Sequence, residues 1–439
     1  MPIPALRFRP APLALLLPLL LPLVLMASPG AQPKYDLLLK GGHVIDRRNN
    51  IDAPMDVAIA GGKIAAVAPT LDAAAAREVV DVSGLYVTPG LIDIHVHVYA
   101  TTGMRNAWAG DNSVLPDGFS FRTGVTTMVD AGSSGWRNFE DFRDRVIDRA
   151  RTRVLAMLNI VGMGMITDAI EQNVHDMDVK VTGEMALRHK DVVVGIKSAH
   201  YQGPEWVSVD RAVEAGKIAG VPVMVDFGYF REERPYYQLV TERLRPGDLS
   251  THMFRGPVPY VDADGRLLAY LARARERGVL FDVGHGGGSF VFRNAVPAVQ
   301  QGFYPDAIST DLHTGSMNGA MMDMPTTMSK FLVMGMPLAE VVARSTDAPA
   351  RAIQRPELGH LSPGAEADVA VLRVMEGRFR YADGSRGTLE GDRRILAELT
   401  VKAGRVVWDW NARTGTDYRQ LPPGYGVRDV DRVILPPRK

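Results

Sequence analysis

Apolar and polar residues alternate from Ile92 onward in the stretch Gly90-Leu-Ile-Asp-Ile-His-Val-His-Val-Tyr99, the pattern of a strand with two unlike faces. It puts Asp93, His95 and His97 on one face and Ile92, Ile94, Val96 and Val98 on the other. Upstream, from Tyr35 to about Thr88, short strand-like runs alternate with Gly-Gly turns and no helical period intervenes, which predicts a small β-rich unit. Downstream, to about Asp347, helix-compatible segments separate eight strand candidates: Leu91–His97, Val125–Asp130, Val154–Val161, Val192–Lys197, Val221–Phe227, Leu249–Met253, Val279–Val283 and Ala307–Thr310. Strands alternating with helices predict parallel βαβ units, and this number at this length predicts an α/β fold, a closed (β/α)8 TIM barrel over residues 89–354. After Pro349 the β texture returns at Ala367–Leu372 and Ala397–Trp408. These strands are expected to pair with the first unit in a small β-sandwich-like satellite domain built from both chain ends, residues 32–88 and 355–410. Residues 411–439 are left as an extended C-terminal tail.

Residues 1–31 have a different texture: Arg7 and Arg9 precede a Leu/Pro run from Leu13 to Met26, and small residues follow at Ala27, Ser28, Gly30 and Ala31. This is the pattern of a secretory signal peptide. The apolar run is short for a bilayer span and is broken by Pro18 and Pro22. The expectation is an exported protein, periplasmic or secreted, with no membrane contact once the signal is removed. The formal charge is zero, with 50 basic and 50 acidic residues interspersed, which argues against a nucleic-acid groove or a polybasic membrane surface. Cysteine is absent, so disulfides, thiolate metal ligands and a thiol nucleophile are excluded.

Barrel enzymes gather their chemistry at the carboxyl ends of the strands. There the sequence has His95-Val-His97, Gly195-Ile-Lys197, Val225-Asp226, Thr251-His252, Gly284-His285-Gly286 and Ser309-Thr310-Asp311. Neutral imidazoles one pleat apart suit a metal ion, although two histidines on a strand are also compatible with plain packing.

The stretch Pro89-Gly-Leu-Ile-Asp-Ile-His-Val-His97, together with the β units at both ends, resembles the amidohydrolase superfamily of metal-dependent hydrolases. Asp130-Ala-Gly-Ser-Ser134, Gly195-Ile-Lys197, Asp282-Val-Gly-His-Gly-Gly287, Ser309-Thr-Asp-Leu-His313 and Ser316-Met-Asn318 are similar to its deacetylase-like, or dihydroorotase-like, branch. The resemblance implies two divalent metal ions, commonly zinc. His95, His97 and Asp311 would hold the more buried ion, His252 and the strand-five residue Asp226 the second, and a carbamate on Lys197 would bridge them. Carbamylation requires a neutral amine, which burial favours. Asp226 stands where most relatives of this type have histidine. A carboxylate also ligates zinc, and its extra negative charge makes manganese the alternative metal. The implied mechanism has Asp311 orient a water activated by the ions and pass its proton to the leaving group.

His285, in a glycine-rich loop, is expected to contact substrate, with His200 and His313 as further substrate-binding candidates. The expected function is that of an exported metal-dependent amidohydrolase or deacetylase acting on an amide or ester bond, N-acyl or O-acyl, of a small-molecule substrate. The alternatives are a cyclic amidase of the dihydroorotase kind and, further off, a non-catalytic barrel that binds a ligand. The sequence is compatible with a homo-oligomer and leaves the oligomeric state open.

Overall fold

The structure is a computed structural model that describes Met1 and residues 33–427. The expected signal peptide, Met1 apart, and the end of the C-terminal tail lie outside the described residues. Seven strands form one parallel sheet in chain order: Leu91–Val96, Val125–Gly135, Arg153–Asn159, Val193–Ser198, Val223–Val225, Leu249–Ser250 and Leu280–Phe281. Helices such as Val179–Arg188, Val207–Ala219, Ala269–Glu276 and Phe292–Gln300 alternate with these strands, as the βα periodicity predicts.

The expected eight-stranded closed barrel is corrected to a TIM-barrel-like sheet of seven strands. Residues 307–312 form no strand. They touch both edges of the sheet through single parallel bridges, Asp282 to Ala307 and Val96 to Leu312. The reason is local: Asp311 has a left-handed backbone, φ 51°, so the chain turns where a ladder would have to continue. A second correction concerns the opening pattern. Ile92 and Ile94 join the apolar cluster of Val129, Leu155 and Met157, whereas Val96 and Val98 join the cluster packed against the helices. A register shift between Asp93 and Val96 breaks the strict alternation.

The satellite is one mixed eight-stranded sheet rather than a sandwich of two. Its halves come from the two chain ends, joined where Tyr86–Pro89 pairs antiparallel with Val369–Ala382. Tyr35–Asp46 pairs along its first half with Ala76–Asp81 and along its second with Tyr86–Pro89, and the change of partner falls at a register shift between Leu39 and Gly42. Gly41 there has φ 79°, and a Cβ on Gly42 would lie 2.6 Å from Val87 Cγ2. The satellite grips the barrel at several places, among them the start of the first strand. Gly90 N–H donates to Asp368 O, and Arg153 pairs with Asp368 at 2.7 Å. Farther on, the hairpin of Val369–Ala382 and Thr388–Lys402 reaches the loop beyond the seventh strand, where Gly384 N–H donates to Phe290 O.

Gly42→Val would force branched carbons into Val87 and Val82, an overpacking that typically costs about 1–3 kcal/mol. The expected outcome is a lower thermal midpoint by calorimetry with KM unchanged, because the bulge lies in the satellite sheet.

Candidate active site

Five side chains at or just beyond strand ends, His95, His97, Lys197, Asp226 and His252, meet Asp311 of the bridging segment in one open cleft of about 600 Å³. His200 and His313 line it as well. The chain reaches this arrangement at a conformational cost, since His200, His252 and Asp311 all have left-handed backbones, with φ of 55°, 59° and 51°. Such strain, outside glycine, persists where the surrounding structure over-determines it.

Hydrogen bonds behind the cleft set each ring. Thr251 Oγ1 donates to Asp282 Oδ2 at 2.6 Å, so its hydroxyl proton is committed, and His95 Nδ1–H donates to Thr251 Oγ1 at 2.8 Å. His252 Nδ1–H donates to Gly284 O at 2.6 Å. Both rings therefore turn Nε2, with its lone pair, into the cleft. His97 Nδ1 is 2.9 Å from Ser133 Oγ, and its Nε2 lies 3.2 Å from Asp311 Oδ1. His95 Nε2 is 3.7 Å from the same oxygen and 3.2 Å from Lys197 Nζ. Asp93, on the expected histidine face, turns away to tie strand one to the segment before Asp311, accepting from Thr310 Oγ1 at 2.5 Å.

The charges follow from burial and these partners. Burial, with Lys197 alongside, pushes His95 down to about 3, so it is neutral. Burial also lowers the Lys197 amine against the pull of Asp226 and Asp311. For Asp311 burial opposes ionisation, yet the hydrogen bond with His97 and the imidazoles around it hold its carboxyl well below the usual range. Burial likewise disfavours the charge on Asp226, and Arg255, His252 and His200 overcome it. Burial works against protonation of His200, but its contacts with Asp226 and Glu171 push it up to about 10.

The donor set fits a divalent cation. Ligand atoms of His95, His252 and Asp311 all lie within 4.8 Å of one another, and all three residues are buried. Two ligands bonded at about 2.0–2.1 Å to a tetrahedral ion sit about 3.3 Å apart. The separations of 3.2 and 3.7 Å from Asp311 to the two strand-one imidazoles bracket that spacing.

His285 departs from expectation. It is fully buried and does not line the cleft: Nδ1–H donates to Gly286 O at 2.9 Å, Lys330 Nζ donates to Nε2 at 2.6 Å, and the ring stacks on Phe290. The left-handed glycines on either side, Gly284 and Gly286, let the loop turn this imidazole inward. The structure thus places His285 among packing and hydrogen-bonding partners behind the cleft and not among the residues that line it. Conversely, Trp108 and Arg255 line the cleft although neither belongs to a motif of the sequence. Trp108 packs on His97 and His313 from a long loop with no periodicity, so nothing in its neighbours signals it. Arg255 follows His252 by three residues, a proximity that could have drawn attention.

No family model matches the chain. A deacetylase of Agrobacterium fabrum is 35% identical over 352 residues, covering 78% of this chain and 83% of that protein. The chain belongs to the amidohydrolase superfamily, in its deacetylase-like branch. It is a hydrolase acting on carbon–nitrogen bonds other than peptide bonds. Among solved structures, an adenine deaminase superposes with a TM-score of 0.77 at 28% identity, covering 85% of this chain and 100% of that one. A dihydroorotase gives a TM-score of 0.73 at 30% identity, covering 85% and 99%. The amidohydrolase architecture accounts for the sheet-rich satellite beside a TIM-barrel-like sheet.

Replacing His285 tests its reassignment. His285→Leu leaves the Lys330 ammonium short of one acceptor in a buried setting, a loss of about 1–3 kcal/mol. The thermal midpoint is expected to fall while KM stays within about twofold, the range of a residue that makes no ground-state contact with substrate. A large rise in KM with an unchanged midpoint would return His285 to the substrate.

Proposed function

We propose that this amidohydrolase is an exported, metal-dependent deacylase that removes an N-acyl or O-acyl group from a small organic molecule. The observation that carries the reading is the pairing of one carboxylate with two imidazoles at the cleft floor, Asp311 Oδ1 lying 3.2 Å from His97 and 3.7 Å from His95. The name of the Agrobacterium relative supports deacylation. A cyclic amide is the second substrate class, favoured by the 30% identity to the dihydroorotase.

His95, His97, Asp311, His252 and Asp226 would hold two divalent ions, zinc or manganese, around Lys197. Bound there, the ions supply Lewis-acid polarisation of the scissile carbonyl and make the attacking water more acidic. Lys197 carries a carbamate in this reading: carbon dioxide adds to the unprotonated Nζ with loss of one proton, and burial supplies the unprotonated amine. Asp311 orients the water through its carboxylate, takes one proton from it and delivers that proton to the departing nitrogen or oxygen. His313 stands 4.7 Å from the Trp108 ring, centroid to centroid, and both line the cleft, so in this reading they contact the acyl group or the leaving group. Arg255, bonded to Ser289 Oγ at 3.1 Å and to Asp226 Oδ1 at 2.9 Å, walls the same cleft and balances the charge of that carboxylate.

The deciding experiment is metal analysis of purified protein combined with a screen of acylated amino acids, acylated hydroxy acids and cyclic imides. Chelation is expected to abolish turnover and zinc or manganese to restore it. Asp311→Asn should lose at least about 10²-fold in kcat, the scale of general acid–base catalysis, with an unchanged circular dichroism spectrum. Full activity in that variant overturns the mechanism. Export has its own test: protein recovered from its native compartment should lack residues 1 to about 31 by mass. An intact amino terminus in the cytoplasm overturns that part and favours the cyclic-amide class.

A further inference from the structure

His200 faces the cleft yet has no step in the hydrolysis above. Its ring and its backbone are both held. Nδ1–H donates to the buried Glu171 Oε2 at 2.7 Å, and Gln172 Nε2 donates to His200 O at 2.9 Å, so the helical turn Asp168–Glu171 and the residue after it fix the imidazole from behind. The other nitrogen, Nε2, lies 3.2 Å from Asp226 Oδ2. His252 stands in the same relation to that oxygen, with Nε2 at 3.1 Å and Nδ1–H committed to Gly284 O. All three side chains line the cleft, and His200 shares its left-handed backbone with His252 and Asp311.

A carboxylate on one ring nitrogen, with the other nitrogen aimed at an anionic oxygen, is the arrangement in which an imidazole binds a cation: the carboxylate fixes the tautomer and raises the ligand's basicity. Asp226 has a single oxygen to offer, because its Oδ1 accepts from Arg255 Nη1 at 2.9 Å. The separation of 3.2 Å from that oxygen to His200 Nε2 is close to the spacing of about 3.3 Å between neighbouring ligands of a tetrahedral zinc.

We propose that His200 is a metal ligand, sharing the second ion with Asp226, and that Glu171 positions it. The proposal rests on the metal-hydrolase reading and adds to His252 a second imidazole from the turn after Val193–Ser198, where the fifth strand offers the carboxylate of Asp226. A rival arrangement, His200 acting only as a cationic clamp between Glu171 and Asp226, predicts no change in metal content when the ring is removed.

The test uses the full chain, loaded with zinc, dialysed, and assayed by plasma mass spectrometry, with the absorption spectrum of the cobalt-substituted protein as a second readout. Wild type is expected to hold about two ions per chain and His200→Ala about one. Adding Asp226→His to His200→Ala should restore the second ion by returning an imidazole to the other side of the site. Glu171→Gln keeps the ring and should weaken the second ion by about 10–100-fold, which keeps the proposal testable if His200→Ala fails to fold. Equal metal content and affinity in wild type, His200→Ala and Glu171→Gln overturn the assignment and leave the metal reading intact. A wild type that holds a single ion overturns it as well, and a wild type that binds none sinks the metal reading itself.

Discussion

Each imidazole in a buried polar cleft has two ring nitrogens, and the chemistry open to it depends on which of them the protein has already used. Here the rear nitrogen of His95 is bound to Thr251, that of His252 to Gly284 O and that of His200 to Glu171. The front nitrogens are left to face Asp311, Lys197 and Asp226. Carboxylates and imidazoles taken out of water this way are costly to leave uncompensated, and a divalent ion or a proton is what compensates them. The cleft therefore tunes charge: His95 is kept neutral, Asp311 is kept ionised, and the Lys197 amine is weakened.

The rest of the fold supplies rigid mounts for those rings. Parallel strands buried on both faces bring their carboxyl ends to one side, and three left-handed residues then bend the side chains inward. The satellite contributes from outside. Its long hairpin packs Gly384 against Gly288, where a Cβ would come within 2.7 Å, and Asp383 accepts from Phe292 N–H at 3.0 Å. The glycine-rich loop beside the cleft is thus held by a domain whose strands come from both ends of the chain, so that covering the site depends on the entire chain having folded.

Two histidines that both follow strand ends in the sequence have different surroundings in space. His285 and His252 both sit at a strand end beside glycine or threonine, yet one is stacked on Phe290 and bonded to Lys330 while the other lines the cleft. A loop flanked by two left-handed glycines can point its middle residue either way, and its neighbours decide which. His200 and Asp226 show the reverse: nothing in their local sequence joins them, and the structure brings them to 3.2 Å.

The sequence by itself determined the order of the elements, the parallel βα alternation and the pairing of both chain ends in one sheet, because hydrophobic period and turn residues are local properties. It also marked His95, His97, Lys197, Asp226, His252 and Asp311, since strand-end placement follows from counting along a strand. Only the tertiary structure decided what lies behind each ring: Thr251 and Asp282 for His95, Ser133 for His97, Glu171 for His200. It alone decided that the eighth segment bridges rather than pairs, that Trp108 and Arg255 wall the cleft, and that His285 does not. The contacts behind the rings join residues separated by 29 to 187 positions in the chain, and no local pattern records which of many polar side chains will meet once the sheet has curved.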